Sequence, residues 1–356
     1  MRGKLVAAAL VGVWRRDPPP PTLAAAELEQ IAPLLLGAGC GALAWWRIRA
    51  APVADSPVGE QLREAYRLHA LQAAVHEREI AEVVRVLGAA GIQALLVKGW
   101  TAARLYAEPG LRPYGDIDVC VAPEHYSAAR TALAAGATTI NVDLHHGLGL
   151  NSGMAGELPS FADAWARAAK ALVDGIEVWT LAPEDNLALL CVHLLTHGAW
   201  RPLWLCDVAA AVERLPDAFD WRLCLGPGRR RATWVASTVA LAEQLLGAHP
   251  NHAPPLRDRP PHWLEPAVLS QWGSPRPEYP SDLMALPAAA HFRPAYARRL
   301  IRAHWVDPIQ ATVVPGASFN DLPRAPFQLR FVMWKAARFL RRTLRDIGRR
   351  PPPTAV

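Results

Sequence analysis

The chain has 356 residues, 51% hydrophobic and 20% charged, which excludes a disordered or collagen-like chain and fits one large folded domain or two modest ones. The formal net charge is +6, but Arg324 to Arg350 holds nine Lys or Arg against one acid, Asp346, so that segment carries +8 and the rest sums to about −2. Basic character therefore belongs to the tail, and nucleic-acid binding cannot be argued from charge for the remainder.

From the start, Arg2 and Lys4 precede an apolar run, Leu5 to Trp14, that imitates a secretory signal. Arg15, Arg16 and Asp17 follow at once with no small-residue cleavage site, so the run is not read as one. No uncharged apolar stretch reaches the roughly 20 residues needed to span a bilayer. Five scattered cysteines (Cys40, Cys120, Cys191, Cys206, Cys224) show no zinc or redox spacing, and the three that sit inside apolar runs are expected as buried thiols. A soluble, cytoplasmic protein is the expectation.

Residues 22–48, after a Pro cluster at 18–21, predict one or two helices, and Val58–Ala90 predicts a long one ended by Gly88 and Gly91. Ile92–Val97 is an apolar run suited to a buried strand. Lys98-Gly99 ends it, and Trp100–Tyr106 predicts a two-turn helix. Pro109, Gly110 and Pro113 make a loop, Asp116–Val121 an alternating strand, Pro123–Ala135 a helix and Thr138–Leu144 a third strand. A loop spans 147–160, Phe161–Leu172 reads as helical, and Ile176–Leu181 is a candidate fourth strand. Helices fill Glu184–Leu246 with breaks near Pro202, Pro216 and Gly226–Gly228; residues 250–287 are Pro-rich and irregular; about 325–347 forms a basic amphipathic helix. The order strand, helix, strand, helix, strand predicts an α/β (α+β) core with a small mixed sheet, N-terminal helices and a following helical domain. The expected divisions are 1–56, 57–182 (the core), 183–249 (helical), 250–323 (Pro-rich) and 324–356 (basic helix and tail).

Alternate strand residues share a face, so Asp116 and Asp118 project together while Ile117, Val119 and Val121 turn the other way into packing. Paired carboxylates repel unless something positive lies between them, and a divalent ion, Mg²⁺ or Mn²⁺, is a natural partner. Asp143 on the next strand is placed to join them, giving Asp116, Asp118 and Asp143 as catalytic, metal-holding residues. Lys98 and Gly99 at a helix start, with Arg112 and Gly115 nearby, are candidates for holding phosphates. His145 shares the face of Asp143 and is a candidate contact to phosphate or proton carrier. The pair His193 and His197 has metal-ligand spacing, but Leu194 stands where a zinc-protease helix needs Glu; His197, Arg201 and Asp207 are read instead as possible lining of a nucleotide cleft. Asp185 and Asn186 suit a helix start.

The ordered set Leu96-Val97-Lys98-Gly99, Leu105-Tyr106, Leu111-Arg112-Pro113, Gly115–Val119 and Val142-Asp143-Leu144-His145 resembles the DNA polymerase β-like nucleotidyltransferase superfamily. More closely, it is similar to an uncharacterised bacterial nucleotidyltransferase family with a Lys-Gly signature and an R-x-x-G-D-I-D strand, over roughly residues 60–220. The superfamily's usual Gly-Ser stands as Lys98-Gly99 here. The resemblance implies a transferase that binds a nucleoside triphosphate such as ATP with magnesium and moves its nucleotidyl, less often phosphoryl, group to an unidentified acceptor: a small molecule, peptide or protein. Two other readings stay open: a D-x-D nucleotide-sugar glycosyltransferase, and a catalytically inactive relative acting as a binding partner. The C-terminal helix sets Phe331, Val332, Ala336, Phe339, Leu340 and Ile347 roughly on one side and Arg338, Arg341, Arg342 and Arg345 on the remainder. It is expected to pack with a solvated basic face open to an acidic partner. Few aromatics interleave with those arginines, so no base-stacking platform is expected.

Overall fold

The computed structural model describes residues 2–137, 139–148, 157–252, 255, 259–275 and 306–347, with side chains described as far as Arg338. Within this span Thr138, residues 149–156 of the predicted loop, residues 276–287 of the Pro-rich stretch, and the side chains of Phe339, Leu340, Arg341, Arg342, Arg345 and Ile347 lie outside the described residues.

Helices α1 (Arg2–Ala9), α2 (Ala25–Gly37) and α3 (Gly41–Ile48) precede the 33-residue α4 (Pro57–Ala89). Ser56 caps α4, its hydroxyl accepting from the Gly59 amide at 3.2 Å. The N-terminal apolar run is core: Val6, Leu10, Val13 and Trp14 are buried, and Trp14 Nε1 donates to Glu213 at 2.8 Å. In α4 the helical spacing holds but the burial does not. Leu62, Ile80, Val83 and Leu87 are buried, whereas Leu68, Leu71 and Val75 are exposed; the middle of the helix meets residues 110–114 through other residues, Ala70 against Gly110 and His76 against Tyr114.

The sheet is built from β1 (Ala94–Leu96), β2 (Ile117–Val121), β3 (Val142–His146), β4 (Ala169–Val173) and β5 (Ile176–Thr180), in the order β3-β2-β1-β5-β4. β2 runs parallel to β3 and β1 parallel to β5, while β1/β2 and β4/β5 are antiparallel. The mixed sheet is the one expected, with one strand more. Residues 161–172, read as a single helix, divide into α7 (Phe161–Ala166) and β4. The reason is local: Asp174 and Gly175 both take positive φ, 46° and 74°, the backbone of a two-residue hairpin turn. That Asp-Gly turn pairs β4 with β5.

The two faces of the sheet pack differently. Ile117, Val119 and Val121 join Ile80, Val83 and Leu87 of α4 and Ala129 and Leu133 of α6 (Tyr126–Gly136) in one core. Leu95, Val97 and Cys120 face a larger core made with α8 (Pro183–Thr196), α9 (Pro202–Val212) and α11 (Arg229–Leu246). Asp118 alternates with Val119 and therefore lies on the side of the helical body. Between α9 and α11 lies the five-residue α10 (Trp221–Leu225). The predicted helix after Lys98 is α5 (Gly99–Ala103), a single turn. The Pro-rich segment read as irregular contains α12 (Leu264–Trp272), which packs on α1, and beyond it lie α13 (Pro308–Val313) and α14 (Ala325–Ile347). All five cysteines are buried and free. Among the described residues no helix is long and apolar enough to cross a membrane.

Candidate active site

β2 and β3 lie in a register that sets Asp118 beside Asp143 and Cys120 beside His145. From that register follows the centre of the site: a carboxylate oxygen of Asp118, one of Asp143 and a ring nitrogen of His145 all fall within 4.8 Å of one another. His145 Nε2 sits 3.2 Å from Asp118 Oδ1 and 3.1 Å from Asp143 Oδ2. The Lys98 ammonium pairs with Asp118 and stands 3.4 Å from His145 Nε2. Asp118 is buried, whereas the side chain of Asp143 is 46% exposed. Asp116 precedes β2 and lines the same cleft, but the close cluster is Asp118, Asp143 and His145.

The electrostatics follow from this packing. Burial raises the pKa of Asp116, and the charges of Asp118 and Asp143 raise it further. The hydrogen bond from His145 holds Asp143 below its ordinary value against a smaller opposing effect of burial. For His145 burial opposes the charge, but hydrogen bonds to Asp118 and Asp143 outweigh it and raise its pKa. The Lys98 ammonium and the His145 ring therefore stand between carboxylates that would otherwise repel.

Lys98 occupies an uncommon backbone position, φ 50° and ψ −118°, where a Cβ is strained. Replacing Lys98 by Gly and by Ala removes the same ion pair, so their comparison isolates the backbone. K98G is expected to be more stable than K98A by about 1 kcal/mol or more, measured by urea unfolding; equal stabilities would show that the backbone there is relaxed. The following residue, Gly99, keeps space open over the carboxylates. A Cβ there would stand 3.5 Å from the Asp116 carbonyl oxygen and 3.6 Å from Asp118 Oδ2. With α5 a single turn, a helix dipole adds little, and an anion here would depend on Lys98 and Gly99 themselves.

Arg112 lies in the cleft wall with its guanidinium committed to Asp207: Nε to Oδ1 at 3.1 Å and Nη2 to Oδ2 at 2.7 Å. The Tyr106 hydroxyl donates to the same carboxylate at 2.8 Å. All three side chains are buried. Burial works against the Arg112 charge, but Asp207 more than offsets it and raises the pKa. Asp185 lies in the first turn of α8, as a helix-start residue, and receives the Arg167 guanidinium at 2.9 Å; the cap of α8 is Ala182, without a side-chain bond.

The cleft has a volume of about 560 Å³, within the usual range for small-molecule sites. Lys98, Gly99, Arg112, Gly115, Asp116, Asp118, Asp143, His145 and His197 all line it, as do His193, Arg201 and Trp204. The two histidines and Trp204 form an aromatic group, with ring centroids 4.6 to 5.1 Å apart. Burial, reinforced by His197 and nearby cations, drives the His193 pKa well below its ordinary value, so it serves as a neutral ring. Sequence reading missed Tyr114, Gln310 and the wall from α14 (Phe331, Trp334, Lys335 and Arg338); nothing in local spacing links a helix beyond residue 324 to carboxylates near 118.

A family described as uncharacterised nucleotidyltransferase matches residues 24–139 and 135–233, together more than half of the chain. No curated protein and no solved structure matches it. The matched span contains Lys98-Gly99, Asp116, Asp118, Asp143 and His145, and the chain belongs to this uncharacterised nucleotidyltransferase family.

Proposed function

We propose that the protein transfers a nucleotidyl group from a nucleoside triphosphate to an acceptor, with divalent-metal dependence. One observation carries this reading: two carboxylates and an imidazole from register-paired strands meet within 4.8 Å beside Lys98 and Gly99, at the floor of an open cleft. Such a donor set suits a divalent ion. Its oxygens fit Mg²⁺ and Mn²⁺, and the imidazole adds affinity for Mn²⁺ over Mg²⁺. Asp118, Asp143 and His145 would hold the ion, with Asp116 close enough to add its charge. When bound, such an ion supplies charge neutralisation for the triphosphate and lowers the pKa of an attacking oxygen.

The chain's own residues do the remaining work. Lys98, now on Asp118, is the cation freed for phosphate once the carboxylates are otherwise neutralised. Gly99 lets the phosphates approach the floor, and Asp143, the more exposed carboxylate, faces an incoming acceptor. The acceptor oxygen bonds to the α-phosphorus as the bond to the bridging oxygen breaks. Pyrophosphate leaves with the electron pair, and the acceptor proton passes to a base in the cleft or to solvent. A nucleotide-sugar glycosyltransferase reading loses support from the sheet, whose two antiparallel pairs differ from a parallel dinucleotide-binding sheet.

Full-length protein incubated with cell extract, Mn²⁺ or Mg²⁺ and NTPs labelled at the α or the γ phosphate tests the proposal. Label is expected to pass to an acceptor from the α position with release of pyrophosphate, and EDTA is expected to stop it. Labelling that persists in EDTA, or no labelling with any NTP, would contradict it.

A further inference from the structure

Helix α14 forms a wall of this cleft although it lies outside the residues matched to the family. Its seat is fixed from its apolar side. Phe331 is buried with Val306 and Ala311, and Gln328 Nε2 donates to the Val306 carbonyl at 2.7 Å. α13 ties this unit to the helical body, Gln310 Nε2 donating to the Thr196 carbonyl at 3.2 Å. On that footing Trp334 stands at the cleft with 45% of its surface exposed. Its ring stacks on Phe331, centroids 5.5 Å apart and planes 12° off parallel. Even with Phe331 and Arg338 against its ring, so large an aromatic exposed at a cavity offers a surface on which a planar ring can lie.

Charge points the same way. A triphosphate is a polyanion and needs more positive charge than Lys98 supplies on its release from Asp118. Lys98 faces Asp118 and Arg112 faces Asp207; Arg201 directs its Nε to the Ala38 carbonyl at 2.8 Å. Lys335 and Arg338 line the cleft; the charge of Lys335 is felt by Asp307, but neither side chain is bound to a carboxylate by an ion pair among the described residues. They rest instead against aromatic faces, Lys335 4.9 Å from the Phe331 ring and Arg338 5.4 Å from the Trp334 ring. The sequence offers few aromatics among the arginines of this helix, but Trp334, just before Lys335, lines the same cleft as the carboxylates.

We propose that α14 is the second half of the nucleotide site, with Trp334 stacking on the nucleobase and Lys335 and Arg338 receiving the phosphates. This rests on the nucleoside-triphosphate reading of the cleft above. It assigns base and phosphate recognition to a part of the chain outside the family match, while the carboxylate floor lies inside it.

The test uses full-length protein with Mn²⁺, titrating ATP and inorganic tripolyphosphate, which carries the charge without the base. W334A is expected to weaken ATP roughly tenfold while changing tripolyphosphate less than about twofold, and W334F to retain most of the ATP affinity. The double substitution K335A and R338A is expected to weaken both ligands by roughly tenfold or more and to flatten the salt dependence of binding. These side chains are exposed, so the unfolding midpoint serves as the control for folding. Wild-type ATP affinity in W334A and in the double variant, with D143N weakened, overturns the role of α14 and leaves the nucleotide reading standing. Failure of the wild-type chain to bind any of the four NTPs overturns both.

Discussion

Asp143→Asn is expected to lower α-label transfer on the order of 10²- to 10³-fold while leaving the unfolding midpoint almost unchanged. The two clustered carboxylates differ in burial and in partners. Asp118 is buried under the Lys98 ammonium, so Asp118→Asn removes one partner of a buried ion pair and lowers stability as well as activity. Asp143 is 46% exposed and pairs only with His145; with its own carboxylate open to solvent, and the amide of Asn still able to hydrogen-bond the ring, the change is expected to cost only about 1 kcal/mol. A collapse of activity in D143N without loss of fold therefore reports chemistry at the cluster. Asp116→Asn should fall between D143N and wild type, because Asp116 acts on the cluster through its charge and stands outside its closest approach. Wild-type labelling by D143N, measured with the same labelled NTP, would remove Asp143 from the mechanism and with it the assignment of the site.

How much of this was legible from residues alone depends on sequence distance. The D-I-D alternation on β2 fixed which residues face the helical body, and the second core holds Ile117, Val119 and Val121 as that alternation requires. Asp143 was placed by the strand period as well, since β3 carries Asp143 and His145 on one face and pairs in register with Asp118 and Cys120. For His145 the strand period gives its face, shared with Asp143, whereas its place between the two carboxylates depends on side-chain packing and not on spacing. The β4–β5 hairpin was available in the Asp174-Gly175 pair and was overlooked because Ala-rich residues 161–172 suggested a helix. Exposed Leu68, Leu71 and Val75 illustrate the opposite limit: helical spacing gives a face, but not what covers it. The α14 wall was invisible for the same physical reason. Its approach to the cleft is decided by long-range packing of Phe331 and by the hydrogen bonds of Gln310 and Gln328.

Arg112 is the residue at which the sequence suggests a phosphate contact and the geometry suggests a brace, and stability can separate the two. Replacing Arg112 by Met is expected to destabilise the fold by about 3–5 kcal/mol, because Asp207, wholly buried, would keep only the Tyr106 hydroxyl as a donor. Asp207→Leu should cost a similar amount, since it strands the guanidinium in the interior. The triple variant R112M, D207L and Y106F removes all three polar groups together, and only the Pro113 carbonyl loses its Arg112 donor, so its stability is expected to return to within about 1–2 kcal/mol of wild type. That recovery, followed by urea unfolding, measures the coupling across 95 residues between the loop before β2 and helix α9. The same variant then decides the role of Arg112 in binding. With its fork engaged by Asp207, Arg112 should act by holding that loop against the helical body, and ATP affinity in the triple variant should stay within about threefold of wild type, less than the tenfold step of a lost charged contact. A tenfold or greater loss of ATP and tripolyphosphate affinity in a folded triple variant would instead make Arg112 a direct ligand of the phosphates, reached when its pairing with Asp207 loosens.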